Sequence, residues 1–343
     1  MGRALYGRKG ELLLDKDVVL TNSFIQRIRK LQFAGLYIKD DLSEGIEIHD
    51  VIPDVLRNKM SKEIRSLMAN VVLKRSVNFH ENMTAMLQLL ESLVNEIMSS
   101  DAIVFNIIDI KQFDLYTYQH SVNVCVLSCI IGKAYEMTRK QLYKLALGAI
   151  MHDIGKVFID KDLLNKLGKL SPEEFEIIKT HSMLGYNFIR QKCKLPHIIG
   201  VSILQHHERF NGCGYPYGKK SDEIILNAQI IAIADVFDAM TSERPYHGPL
   251  MPSEAYEFIS GSAGHSFSWE LVNIFTRNIA PFPLGLHVQL SNGREGIVYQ
   301  NYEDCLMRPL VKLKPEPGQF EESFIDLKND ADAYNVTIQK VLT

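Results

Sequence analysis

The sequence predicts a mainly α-helical protein: an all-helical core over residues 101–282, preceded by a small α+β unit with a helical connector over 1–100 and followed by a small β-rich region over 283–343. Three observations carry this prediction. Apolar residues recur at helical spacing, with neither Gly nor Pro, from just after Pro53 to Met98. Two helix-start signatures follow, Thr138 with Gln141 and Ser171-Pro172-Glu173-Glu174. After Pro281-Phe282-Pro283 the pattern changes to short apolar runs around Asn292-Gly293, a signal for a two-residue hairpin turn.

In chain order, Glu11–Leu14 and Gly35–Lys39 read as strands. Phe24, Ile25, Ile28 and Leu31 read as a helix opened by Thr21 or Ser23. Over 53–98, Ile64, Leu67, Met68, Val71, Met83, Met86, Leu87, Leu90, Val94 and Ile97 form an apolar stripe. Such a stripe either packs on a neighbouring domain or serves as a connector that carries a signal and forms a homodimer. Thr138 opens a helix that ends near His152-Asp153, and Ser171 opens one carrying Phe175, Ile178, His181 and Leu184. A third helix follows Pro196 and ends at His206-His207; a fourth, Ala228–Met240, is apolar except for Asp235 and Asp238. Strands are expected at His287–Leu290, Gly296–Tyr299, Leu310–Leu313 and Phe324–Leu327.

Composition narrows the function. A chain of 343 residues with 46% apolar and 23% charged residues is ordinary for a globular protein. A net charge of −3 gives no general attraction for polymeric nucleic acid or an anionic membrane, so a phosphate ligand would need a local cluster of cations. Five cysteines without a CxxC pair suggest a reducing compartment. The N-terminus lacks an apolar signal segment, and Val122–Ile131 is far shorter than the roughly 18 apolar residues of a spanning helix. Together these predict a cytoplasmic protein without membrane insertion.

The chemistry concentrates on seven residues. His152-Asp153 closes the apolar helix LALGAIMHDIGK, where an ionised carboxylate is costly unless a cation compensates it. An Asp capping a neighbouring helix beside a core His is the plain alternative. Asp235 follows Ile230-Ile231-Ala232-Ile233-Ala234, a run without a cation, which favours metal ligation over a salt bridge. His120, His181, His206 and His207 add imidazoles, the commonest nitrogen ligands of transition metals. Adjacent side chains diverge by about 100° on a helix, but at a helix end two imidazoles can still reach one metal. His49, His80, His197, His247, His265 and His287 have no such company and read as surface or structural residues.

In order, these blocks resemble the HD-GYP subgroup of the HD phosphohydrolases: YTYQHSVNV, MHDIGK, KTHSMLGY, QHHERFNGCGYP and IADVFDAMTSERPY, over roughly residues 105–260. The resemblance implies an HD-type all-helical core that hydrolyses cyclic di-GMP with divalent transition metals, iron or manganese. By position it implies one metal held by His120, His152, Asp153 and Asp235, and a second held by His181, His206 and His207, with Asp153 bridging. It assigns Lys156 to the phosphate, Gly214-Tyr215-Pro216 to the substrate cleft and Arg244 to the ligand's guanine or phosphate. Trinuclear members carry a carboxylate four residues before the first histidine; here Tyr116 stands there, so two metals are expected.

The implied reaction opens cyclic di-GMP to linear pGpG, with slow onward cleavage to GMP, by attack of a hydroxide bridging the two metals. Lys156 adds a point charge on the phosphate. Two alternatives stay open: a hydrolase of another cyclic dinucleotide such as cyclic GMP-AMP, and a signalling module that binds such a ligand without turnover. The complete ligand set argues against the second.

Overall fold

The structure, a computed structural model, describes the chain apart from residues 3, 8–10, 32–35, 47–50, 74–75, 101–104, 107–115, 167, 243–249, 316–321 and 343, and apart from the side chains of 6, 76–77, 105–106 and 116–117. The chain forms two compact units. One comprises Val51–Ala102 and Tyr116–Asn278; the other comprises Met1–Asp50, Ile103–Leu115 and Ile279–Thr343.

The second unit begins with two short strands, Leu5–Tyr6 (β1) and Leu12–Leu14 (β2), paired antiparallel, and the helix Asn22–Lys30 (α1). Thr21 is the cap of α1, its side chain accepting from the Phe24 amide at 3.3 Å. The strand expected at Gly35–Lys39 does not form over 36–39, where the Tyr37 carbonyl accepts from the Gly2 amide without a ladder; residue 35 lies outside the described residues.

The helical unit opens with a hairpin of Asp54–Val72 (α2) and Ser76–Ser99 (α3), bridged by Asn82, whose amide bonds Asn70 and Glu63 at 2.7 Å each. The hairpin packs on Tyr116–Ala134 (α4) and Arg139–Ile150 (α5). The boundary expected near residue 100 therefore does not divide two compact units here. The apolar stripe of 53–98 is buried inside the chain, so a homodimer through this segment would use its outer faces. Between α3 and α4 lies Phe105–Asn106 (β3), which belongs to the other unit and pairs in parallel with Ile279–Ala280 (β4).

The predicted caps are present. Thr138 and Gln141 form a capping box at α5. Beyond the short helix Lys161–Leu164 (α6), Ser171 and Glu174 form another at Pro172–Lys179 (α7), with Pro172 in the first turn. The helix expected to run from Ser171 through Leu184 instead divides at Thr180, whose amide and hydroxyl both turn back to the Ile177 carbonyl; His181–Lys192 (α8) follows. His197–Gln205 (α9) and Leu226–Thr241 (α10) come next, and Pro252–Gly261 (α11) and Trp269–Asn278 (α12) complete the unit. Among the described residues no helix is long and apolar enough to cross a membrane.

The C-terminal region is a five-stranded antiparallel sheet of His287–Leu290 (β5), Glu295–Gln300 (β6), Leu310–Leu313 (β7), Ser323–Asp326 (β8) and Ile338–Val341 (β9), in the order β8-β7-β6-β5-β9. Val288, Leu290, Val298, Val311 and Leu313 line its core. The β5–β6 turn is wider than the two residues expected. Leu290 pairs with Arg294 across Ser291-Asn292-Gly293, and only Gly293 takes a positive φ, of 84°. A two-residue type I′ turn would need Asn292 there as well; the chain uses the three-residue form, closing on a left-handed glycine.

Candidate metal centre

Three of the predicted histidines share one local device. His152, His181 and His206 each lie one or two residues beyond the C-terminal end of a helix, α5, α7 and α9, where the last carbonyls lack intrahelical partners. Each imidazole turns back on the carbonyl three residues earlier: His152 Nδ1 to Ala149 at 2.8 Å, His181 Nδ1 to Ile178 at 2.7 Å and His206 Nδ1 to Ile203 at 2.7 Å. A carbonyl only accepts, so each Nδ1 carries the hydrogen and each Nε2 presents a bare lone pair.

Those lone pairs converge on Asp153. Its Oδ2 lies 3.3 Å from His152 Nε2 and 3.7 Å from His120 Nε2, and its Oδ1 lies 3.4 Å from His181 Nε2. His181 and His206 face each other through their Nε2 atoms at 3.3 Å. Acceptor thus faces acceptor across the centre. His152 Nε2 and Asp153 Oδ1 are buried without a hydrogen-bond partner, an arrangement that costs about 1–3 kcal/mol per atom unless something satisfies it. Divalent cations between these atoms would satisfy all of them, so the donor set fits metals.

The ligand atoms fall into two groups, each lying within 4.8 Å of one another: Asp153, His181, His206 and His207, and His120, His152 and Asp153. Asp153 belongs to both. Asp235 adjoins the second group, with Oδ1 at 3.1 Å from His120 Nε2 and 4.0 Å from His152 Nε2, and its Oδ2 reaches toward His207 Nδ1 at 3.8 Å.

Electrostatics divides the histidines. Burial pushes the imidazoles of His181, His206 and His207 below the usual range, His206 and His207 far below it, and so holds them in the neutral form a metal requires. Burial would lower His120 too, but hydrogen bonds to the carboxylates of Asp235 and Asp238 raise it to about 9. Burial alone would raise the carboxyls of Asp153 and Asp235. The Lys156 ammonium leads the groups that outweigh it at Asp153, and His120 outweighs it at Asp235, holding both well below the usual carboxylate range.

The remaining predicted residues sort by position. Lys156 donates to Asp153 Oδ2 at 2.6 Å, its side chain 31% exposed against 1% for Asp153. Tyr215 stacks on the His207 ring, with centroids 4.6 Å apart at 28°, and its amide donates to the His207 carbonyl. Gly214 is sterically required: a Cβ there would come within 2.4 Å of the Arg209 nitrogen and the Glu208 Cα. Pro216 continues the same loop, and Glu208, buried just after the histidine pair, holds its far side by accepting from the Tyr217 and Lys219 amides at 2.9 and 3.0 Å. Arg244 and the side chain of Tyr116 lie outside the described residues. His80, His197, His265 and His287 are exposed, while His49 and His247 lie outside the described residues.

Sequence reasoning missed three supporting residues. Asp238 accepts from His120 Nδ1 at 2.7 Å, from Asn123 at 2.9 Å and from the Ser242 hydroxyl at 3.3 Å. Its signal is its place three residues after Asp235, on the same helix face. Gly155 allows the turn after Asp153 to press on α8, since a Cβ there would lie 1.8 Å from the His181 carbonyl oxygen. Glu208 has only a buried carboxylate's need for partners to betray it.

Comparison with known proteins agrees with the geometry. Residues 102–270 match the family model described as HD domain. A cyclic di-GMP phosphodiesterase of Pseudomonas aeruginosa is 33% identical over 210 residues, 61% of this chain and 50% of the relative. A 3'3'-cGAMP-specific phosphodiesterase of Vibrio cholerae is 36% identical over 166 residues, 47% of this chain and 37% of the relative. The chain thus spans half or less of the length of these two relatives. A solved HDG"Y"P protein from Bdellovibrio bacteriovorus shares the fold at a TM-score of 0.52 and 20% identity, over 69% of this chain and 74% of that one. Residues 102–270 thus match an HD domain, and the order of the H, HD, H, HH, GYP and D blocks along them resembles that of the HD-GYP subgroup.

Proposed function

We propose that this chain is a metal-dependent phosphodiesterase that opens cyclic di-GMP to linear pGpG. The observation that carries the reading is the set of bare Nε2 lone pairs on His152, His181 and His206, gathered with His120 around the one carboxylate of Asp153. His120, His152, Asp153 and Asp235 would hold one divalent cation, and His181, His206 and His207 a second, with Asp153 shared; iron or manganese suits the imidazole and carboxylate set. Such cations would supply a water of lowered pKa and offset charge on the phosphate.

The chain's own residues supply the rest. Three Nδ1–H···O bonds keep the imidazoles in the tautomer that ligates, so no rotamer has to be sorted out on binding. The protonated state of His120 in the metal-free chain is held between Asp235 and Asp238, and occupation of its Nε2 by a cation would release that proton. Lys156, partly exposed at the edge of Asp153, is placed to meet a phosphate oxygen as well as the carboxylate. Tyr215, stacked on His207 beside the ligand atoms, is the proposed contact for a purine, and Arg244 is the proposed second ligand contact.

The nearest alternative is turnover of 3'3'-cyclic GMP-AMP, supported by the similarity to a phosphodiesterase specific for it. The deciding experiment supplies the metal-loaded chain with each dinucleotide in turn and separates products by chromatography. The proposal expects faster loss of cyclic di-GMP with pGpG as the dominant product. Preferential loss of cyclic GMP-AMP would move the assignment to the alternative, and turnover of neither would leave a binding module.

A further inference from the structure

Helix α2 lies outside the HD-domain match, yet it sends one charged side chain into the helical core. Arg57 falls on the same face as Met60, Ile64 and Leu67, all buried, and is itself only 4% exposed. A buried guanidinium is costly unless polar groups receive it. Arg57 Nη1 donates to Asn123 Oδ1 on α4 at 3.2 Å. Asn123 Nδ2 then donates to Asp238 Oδ1 on α10 at 2.9 Å, and Asp238 Oδ2 accepts from His120 Nδ1 at 2.7 Å. The direction of every link is chemically forced. Guanidinium only donates and carboxylate only accepts, so the Asn123 amide can be oriented one way alone, and His120 must place its hydrogen on Nδ1.

We propose that Arg57 is a positioning residue for the metal centre, acting through Asn123 and Asp238 to fix the orientation and tautomer of His120, and so coupling helix α2 to one of the two metal positions. The proposal rests on the metal-centre reading and extends it to a helix that holds no ligand. Outer partners of metal-bound histidines commonly alter affinity by about 10–100-fold. Because His120 belongs to the group with His152 and Asp153 and not to the group with His207, the effect falls on one site. Displacement of α2 relative to α4 would break the first link and loosen that site without touching a ligand.

The test is titration of the metal-free full-length chain with Co2+, followed by its visible absorption bands. The wild type is expected to bind in two steps. Arg57→Gln should weaken one step by about tenfold or more and leave the other within about twofold, while Arg57→Lys, which keeps the charge, should recover part of the loss. Asn123→Ala should weaken the same step, and adding Arg57→Gln to it should cost little more, because both interrupt one chain of bonds. If Arg57→Gln does not fold, Asn123→Ala carries the comparison alone. Isotherms unchanged from wild type, or equal weakening of both steps, would overturn the proposal by leaving Arg57 a core residue. A wild-type chain that binds no Co2+ would instead overturn the metal-centre reading beneath it.

Discussion

Lys156 and Arg244 test the substrate side of the site without touching a ligand. Lys156 reaches the Asp153 carboxylate from a partly exposed position, so Lys156→Ala should cut turnover by about tenfold or more while leaving metal content intact, as measured by steady-state kinetics beside elemental analysis. Loss of metal as well would confine Lys156 to neutralising Asp153. An internal salt bridge to Asp238 would be a rival role for Arg244, but both Asp238 oxygens already accept bonds from His120, Asn123 and Ser242. Arg244→Lys should therefore depress kcat/KM for cyclic di-GMP far more than for a small generic phosphodiester, because lysine cannot stack on a purine or grip two acceptors. Equal loss for both substrates would make Arg244 structural. At this scale the seven candidate ligands stood out in the sequence because histidines and aspartates stand in or beside apolar helices, where a buried carboxylate needs a compensating charge. The role of Asp238 was only hinted at by its spacing from Asp235, and that of Asn123 not at all, since a partner of His120 Nδ1 is recognisable only once that ring nitrogen is located.

Elements decide whether those residues meet. The turn after Asp153 presses so closely on α8 that Gly155→Ala must move the backbone carrying His181; it should destabilise the chain by about 1–3 kcal/mol or more and weaken metal binding with it, read as lower Tm and lower metal content. Unchanged stability would mean that the turn and α8 are free to separate. Helices were readable wherever start signals and periodicity agreed, as at Thr138 and Ser171. The break at Thr180 was not, because apolar spacing continues through it and only a local hydroxyl–carbonyl bond marks it. Strand β9 was missed since Ile338–Val341 includes two exposed polar residues and is defined by its partner β5. The hairpin turn was placed correctly but given the wrong length, as Asn-Gly serves two- and three-residue loops alike.

On the scale of the molecule, the apolar stripe of 53–98 was visible while its partner was not: the same stripe would face another domain, a second copy or, as found, helices α4 and α5 of its own chain. The buried centre also makes the metal-free protein sensitive to pH in both directions. His181, His206 and His207 sit below their unfolded pKa, near 6.5, so the unfolded state takes up more protons and stability falls as pH drops below about 6.5. His120 is raised to about 9, so its contribution is complete below about 6.5 and is lost as pH rises through about 9. In the presence of a chelator, Tm should peak near neutral pH and decline on both sides; a Tm flat from pH 5 to 9 would contradict these assignments. The central claim is that one carboxylate joins two metal positions, and metal content answers it most directly. Anaerobically purified wild-type chain should carry two divalent transition metals, while Asp153→Ala should lose most of both together with turnover. An Asp153→Ala chain that keeps two metals and remains active would contradict the account.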